Sequence, residues 1–185
     1  MNRIILASKS PRRRQLMDLL NVPYEVISAD IDETINLQGD LKREIENLSY
    51  RKALAVYETN RDATVIGADT IVVVNNQVLG KPKNIDDAHA MLNMLQNNHH
   101  SVITGVTFLS SECKESFSVV SDVYFNPMTS YEIEKYIETG EPMDKAGAYG
   151  IQEEGAKFIH KIDGDYYAIM GFPISEIYTR IQKYL

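Results

Sequence analysis

One cysteine in 185 residues, Cys113, leaves the chain without an internal disulfide and implies a reducing cytosol as its setting. No apolar run approaches the ~20 residues that a membrane helix needs. The opening, MNRIILASKSPRRR, holds only the short apolar run Ile4 to Ala7 between charges and does not read as a signal peptide. Repeats and low-complexity tracts are absent. Positive charge is also short: 19 Lys and Arg face 26 Asp and Glu, a formal net charge of −7. A chain that grips a nucleic-acid polymer shows the opposite excess on one face. Neither a polymer nor a membrane is therefore expected as a partner, whereas one small phosphate-bearing ligand needs only a local cluster of cations. Neither glycine-rich phosphate loop, G-x-x-x-x-G-K-[S/T] or G-x-G-x-x-G, occurs. His89, His99, His100 and His160 lack zinc-ligand spacing.

What is present in quantity is apolar side chain, 44% of residues, enough for one good core. The expected organisation is a single domain over 1–185, built as two lobes sharing a cleft. Residues 3–7 are β-branched and end at a polar turn, the pattern of a short buried strand. Ser10-Pro11 starts a helix, with serine as N-cap and proline at the first helical position. That helix is expected to reach about Leu20, with Leu16, Leu19 and Leu20 on one face. Residues 24–28 read as a strand ahead of the acidic loop Asp30-Ile31-Asp32-Glu33, and 40–57 as a helix. Residues 64–74 form a strand pair or one long strand, and Asn75-Asn76 then turns the chain into a strand at 77–79. Asn84 caps a helix carrying Asp86 and Asp87 in its first turn. Residues 100–109 and 117–125 read as antiparallel strands. Thr129 with Glu132 makes a capping box for a helix ending at Gly140. A long polar loop is expected over 141–154, then a hairpin of 157–162 with 166–170 about Asp163-Gly164. A last helix spans 173–184, with Ile174, Ile177, Tyr178 and Ile181 toward the core. This order predicts an α/β or α+β fold with a largely mixed sheet.

Several residues in this framework suit phosphate chemistry. Arg12, Arg13 and Arg14 open the first helix, where cations oppose the helix dipole at about 0.3–1 kcal/mol each. A phosphate chain reverses that penalty, because the free N–H groups of the turn attract anions and guanidinium forks take them bidentately. For any one arginine, swinging into solvent is the plainer reading. Three beside Ser8, Lys9 and Ser10 point to at least one phosphate contact. Asp69, in Gly67-Ala68-Asp69-Thr70, sits inside an apolar run where a carboxylate must be paired or metal-bound. It reads either as a strand-end aspartate bonded to backbone N–H groups or as a metal ligand or general base, with Gly67 permitting close backbone approach. Glu33 ends the acidic loop; one carboxylate near Asp69 suffices to hold a hard cation such as Mg²⁺ together with phosphate oxygens. Lys52 interrupts a helix, and Lys81 lies in Gly80-Lys81-Pro82 just after the Asp69 strand; each taken alone reads as surface. The run 144–152, DKAGAYGIQ, reads as a loop with backbone open to a ligand. Gln152 pairs an acceptor with a donor, matching the adjacent N–H and C=O of uracil and thymine.

Taken in order, LASKSPRRRQLM at 6–17, IDET at 31–34, Lys52-Ala53, VIGADTIVVV at 65–74, LGKP at 79–82, EPMDKAGAYGIQ at 141–152 and KIDGDYYAIMGFP at 161–173 resemble the Maf family of nucleotide pyrophosphatases over nearly the whole length. The resemblance implies a two-lobed α/β fold, related to the inosine triphosphatases, with its active site in a cleft. It also implies a divalent metal, Mg²⁺ or Mn²⁺, and release of pyrophosphate from a nucleoside triphosphate. Asp69 falls on the family's acidic proton acceptor. Arg12, Thr70 and Gln152 fall on its specificity positions, a set resembling the dTTP/UTP branch rather than the 7-methyl-GTP branch. Ser8, Arg13, Glu33, Lys52, Lys81 and Lys145 fall on polar positions around phosphates or metal, with Glu33 and Asp69 as metal ligands. Phe172 departs from the smaller apolar residue usual there. The family also carries an association with septum formation, so a nucleotide-binding regulator without turnover stands as an alternative, as does a purine-directed pyrophosphatase. A homodimer is compatible with the sequence and not demanded by it.

Overall fold

The computed structural model describes residues 3–185; Met1 and Asn2, which begin the MNRIILASKSPRRR segment, lie outside that range. The elements are β1 (Arg3–Ala7), α1 (Pro11–Asp18), β2 (Glu25–Val26), α2 (Leu41–Tyr57), β3 (Ala63–Val74), β4 (Gln77–Leu79), α3 (Ile85–Leu95), β5 (His99–Leu109), β6 (Lys114–Phe125), α4 (Ser130–Glu138), β7 (Ile159–Asp163), α5 (Tyr166–Ile169) and α6 (Ile174–Ile181). Seven strands form one sheet in the order β2-β1-β3-β5-β6-β7, with β4 paired to β3. β1 runs parallel to β2 and β3, while β4 is antiparallel to β3 and β7 to β6. The fold is therefore α/β on a mixed sheet, as the sequence predicts. No helix among the described residues is long and apolar enough to cross a membrane.

The chain divides into two compact units, the first made of residues 3–70, 104–119 and 171–185, the second of 71–103 and 120–170. In the first, the parallel pairing sets Ile5 opposite Val65 and Leu6 opposite Ile66, all buried. Strands covered on both faces read as unbroken apolar runs, which is what IILA at 4–7 and VIGA at 65–68 are. α2 packs Ile45, Leu48, Ala53 and Val56 into this core. It comes unusually close, because a Cβ at Gly67 would lie 2.3 Å from the Ser49 carbonyl oxygen and 2.8 Å from the Ala53 nitrogen. Gly67 thus admits the α2 backbone, not a ligand.

The second unit packs α3 (Ala88, Leu92, Leu95) and α4 (Ile133, Tyr136, Ile137) on Val72, Val74, Val102, Val123 and Phe125. Asn75 and Asn76, both in the left-handed region with φ of 50° and 61°, make the β3–β4 turn as expected. The Thr129–Glu132 capping box is formed in both directions.

Within this unit His100 is buried, with its Nε2 2.7 Å from the Tyr149 hydroxyl and its ring edge-on to Phe125 and Tyr149. Burial pushes its pKa down to about 4 from 6.5, so the folded state holds it neutral. The unfolded chain takes the proton first. Stability is complete above about pH 6.5 and falls as the pH drops toward 4, by roughly 3 kcal/mol for a shift of this size. Urea unfolding between pH 7 and 4.5 reads this directly: His100→Gln, which keeps a partner for Tyr149, is expected to flatten the slope, and an unchanged slope would discard the assignment.

Four expectations need correction. α1 stops at Asp18, where the Leu19 N–H turns back to the Met17 carbonyl and Asn21 adopts φ 52°, so Leu19 leaves the apolar stripe and is exposed. Tyr178 is exposed on α6 while Ile177 and Ile181 are buried, because the core meets a narrower face than the apolar letters suggest. Residues 166–170 do not return as a strand: the Asp165 carboxylate accepts the Tyr167 N–H and caps the short helix α5, leaving β7 to pair with β6. Residues 146–151 are not left open: Ala146–Ala148 close a 3₁₀ turn, the chain then runs extended at Tyr149, and Gly147, Ala148, Tyr149, Gly150 and Ile151 are buried.

Candidate active site

The close seating of α2 on β3 puts Lys52 beside the middle of that strand. Its ammonium lies 2.7 Å from Asp69 Oδ2 and 2.7 Å from Glu33 Oε1. Two carboxylates from distant stretches of sequence thus converge on one cation, their oxygens no more than twice that distance apart. Asp69 Oδ1 accepts the backbone N–H of Thr70 at 2.7 Å. Lys52 and Asp69 are mostly buried, whereas Glu33 is well exposed.

On the other side of Asp69 stands Arg13, in the first turns of α1. Ser10 caps that helix, with its hydroxyl accepting the Arg13 N–H. The guanidinium turns inward. Its Nε donates to the Gly171 carbonyl at 2.9 Å, Nη2 donates to the Thr70 hydroxyl at 3.2 Å, and Nη1 lies 3.5 Å from the Ser8 hydroxyl. Nη2 is 4.0 Å from Asp69 Oδ1. Gly171, at φ 101°, is required here, since a Cβ would meet the Thr70 hydroxyl at 3.1 Å in a backbone conformation that other residues rarely adopt. Burial pushes the Arg13 pKa below its usual value, against the pull of Asp69 and Glu33, and Arg12 adds to the lowering; arginine keeps its charge regardless. Of the three arginines, Arg13 is inside the cluster and Arg14 is exposed, while Arg12 is half-buried. The Thr70 hydroxyl is also 2.8 Å from that of Thr104. Ser8, Arg13, Glu33, Lys52, Asp69 and Thr70 are therefore brought together within the first unit.

Lys81, Lys145 and Gln152 belong to the second unit. The Gly80 carbonyl accepts the Gly147 N–H at 3.0 Å, tying the Lys81 turn to the turn that leads to Gln152. Lys81 itself is exposed. Lys145 is buried and satisfied internally, by the Glu141 carbonyl oxygen at 3.0 Å, Asp144 Oδ1 at 2.9 Å and Glu153 Oε2 at 3.3 Å. Glu141 and Tyr136 carry no signal of this role in the sequence. The Glu141 carboxylate accepts the Tyr136 hydroxyl at 2.7 Å and the N–H groups of Glu154 and Gly155 at 2.8 and 3.1 Å. The Tyr136 oxygen in turn accepts the Gly150 N–H. Ala148 holds φ 60° with no glycine to ease it. Gln152 is carried by this braced segment, and its Oε1 is buried with no hydrogen-bond partner among the described residues.

The profile of the family described as "Maf-like protein" matches residues 3–184. The chain belongs to the Maf family. A protein of Geobacillus sp. (strain WCH70) named dTTP/UTP pyrophosphatase is 45% identical over 99% of this chain and 98% of its own length. One of the same name from Bacillus pumilus (strain SAFR-032) is 46% identical over 95% and 93%. Among solved structures, the Staphylococcus aureus Ham1 protein shares the fold at 15% identity, with a TM-score of 0.57 and full coverage of both chains. The Asp69 cluster is thus set in a Maf-family chain that matches such relatives nearly end to end.

The donor set suits the metal that the family resemblance implies. Glu33 and Asp69 present only oxygen, already converging on a cation, which fits an oxygen-loving divalent ion completed by phosphates and water. No cluster of three or more His, Cys, Asp or Glu residues suited to a metal occurs among the described residues. An ion held here would therefore lean on its substrate.

Proposed function

We propose that this chain hydrolyses dTTP and UTP to the nucleoside monophosphate and pyrophosphate. The observation that carries the reading is the alternation of charge at Asp69: Lys52 on one oxygen, the Arg13 guanidinium near the other, and Glu33 sharing the lysine. The names of the Geobacillus and Bacillus relatives support the substrate class.

Asp69 takes the proton of a water whose oxygen attacks the α-phosphorus. The bond from that phosphorus to the bridging oxygen breaks, and pyrophosphate leaves with the electron pair. Arg13 and Lys52 face the negative charge that builds on the phosphates, a role for fixed donors in a partly dehydrated site. Arg12 and Lys81 are read as further phosphate contacts, and Ser8 and Thr70 as the hydroxyls that hold Arg13 in place. A divalent ion, Mg²⁺ or Mn²⁺, bound through Glu33 and Asp69 would supply Lewis-acid charge at the same phosphates. Lys145, already satisfied by three acceptors, is read as the internal tie of the Gln152 segment rather than a phosphate contact.

Gln152 is read as the base-selecting residue. A buried acceptor left unsatisfied costs roughly 1–3 kcal/mol, which the N3–H of uracil or thymine would recover. Gln152→Ala is expected to lower kcat/KM for dTTP and UTP by about 10- to 100-fold on that basis while leaving purine triphosphates nearly as they were. An unchanged ranking of bases would remove Gln152 from this role.

The reading as a whole is tested by incubating the chain with each nucleoside triphosphate and Mg²⁺ or Mn²⁺ and identifying the released phosphate. Pyrophosphate from dTTP and UTP is expected. Orthophosphate, a purine-only signal, or tight binding without release would each overturn it.

A further inference from the structure

Glu33 is well exposed and stands in a stretch without helix or strand, yet its carboxylate lies 2.7 Å from Lys52. The lysine alone leaves the backbone of such a loop free to wander. The residue before that lysine in the chain holds the backbone. Arg51 Nη1 donates to the Asp32 carbonyl oxygen at 2.5 Å, and Nη2 donates to the Thr34 carbonyl oxygen at 2.7 Å. These are the carbonyls on either side of Glu33. One guanidinium fork therefore spans the residue whose side chain the next lysine grips.

The loop is braced at two further points. Asp32 Oδ1 accepts both the N–H and the hydroxyl of Thr34, at 2.9 and 2.6 Å, closing a tight turn over Glu33. Glu44, seven residues before Arg51 in α2, accepts the Asn36 N–H at 3.0 Å. Seven residues are nearly two helical turns, so Glu44 and Arg51 line one face of α2 and fasten the loop along it.

We propose that Arg51 is a positioning residue, whose planar fork fixes the backbone about Glu33 so that the carboxylate stands beside Asp69. This role rests on Glu33 acting as proposed for the metal, although the clamp itself is a property of the free chain. Lysine does not replace it. An ammonium is a single point charge on a flexible stem and does not hold two carbonyls at a fixed separation.

The test compares the full chain with Arg51→Ala, Arg51→Lys and Glu33→Ala. Without metal or nucleotide, amide exchange at Thr34 is expected to quicken about tenfold in Arg51→Ala, with amides of α2 and β3 unchanged. Arg51→Lys should exchange nearer to the alanine variant than to wild type. Wild-type exchange at Thr34 in Arg51→Ala overturns the clamp. Titration with Mn²⁺ alone should then show affinity weakened about tenfold in Arg51→Ala, the scale expected when a residue orienting a ligand is removed. If Glu33→Ala weakens Mn²⁺ binding and Arg51→Ala does not, positioning by Arg51 is overturned as well. Quickened exchange with Mn²⁺ binding indifferent to both variants leaves the clamp standing and removes Glu33 from the metal.

Discussion

Asp69→Asn should release pyrophosphate about 10²- to 10⁴-fold more slowly than wild type, the span usually attached to a positioned general base. The substitution keeps shape and removes charge. The Thr70 N–H still finds an oxygen, because the amide carbonyl replaces Oδ1 as its acceptor. Lys52 fares worse, as an amide NH₂ set toward its ammonium offers no acceptor, but Glu33 remains at 2.7 Å. The fold should therefore survive, and circular dichroism with urea unfolding checks that it does. Two losses are then separable by metal concentration. A missing metal ligand is partly repaired by raising Mn²⁺, whereas a missing proton acceptor is not. A rate that stays low at saturating Mn²⁺ supports Asp69 as the base; wild-type turnover in a folded variant ends that assignment.

The legibility of this site in the sequence follows the range of the interactions involved. Local signals carry through: Ser10 before Pro11 starts a helix, Asn75-Asn76 makes a turn, and Thr129 with Glu132 closes a capping box. A carboxylate inside an apolar run has to be paired, and Asp69 is, by Lys52 and the Thr70 N–H. The partner's identity is not readable from the run itself, since Lys52 lies on another element and looks like any exposed helix lysine. Small residues mislead most. In Ala146-Gly147-Ala148 they read as backbone left open for a ligand, yet they are small because the segment is packed: a Cβ on Gly147 would press on the Val72 methyls at 3.1 Å. Glu141 and Arg51 escape a sequence reading for a shared reason. Both act through backbone groups of a neighbouring loop, and a carbonyl or N–H that accepts or donates a bond leaves no letter in the sequence.

Arg13→Lys should cost about 10²- to 10³-fold in kcat/KM, the size of effect seen when one donor to a developing anion is removed. The charge is kept, so the deficit measures the fork. In the present arrangement Nε, Nη1 and Nη2 reach Gly171, Ser8 and Thr70, positions far apart along the chain within the first unit, with Asp69 at 4.0 Å. An ammonium at the end of a lysine stem satisfies two of these at best. The buried Gly171 carbonyl is the partner left without a bond, and stability should fall by roughly 1–3 kcal/mol for one unmet buried group. That fall in stability raises the objection that Arg13 is a brace and nothing more. The two roles part in the kinetics. A brace alone lowers the fraction of folded enzyme and leaves the rate per folded molecule intact, so adding substrate or lowering the temperature restores the total rate. If instead the guanidinium binds phosphate most tightly in the transition state, its replacement lowers kcat in fully folded enzyme at saturating dTTP. Full turnover at saturation would make Arg13 structural and would move the weight of charge neutralisation onto Lys52, whose ammonium already bridges both carboxylates.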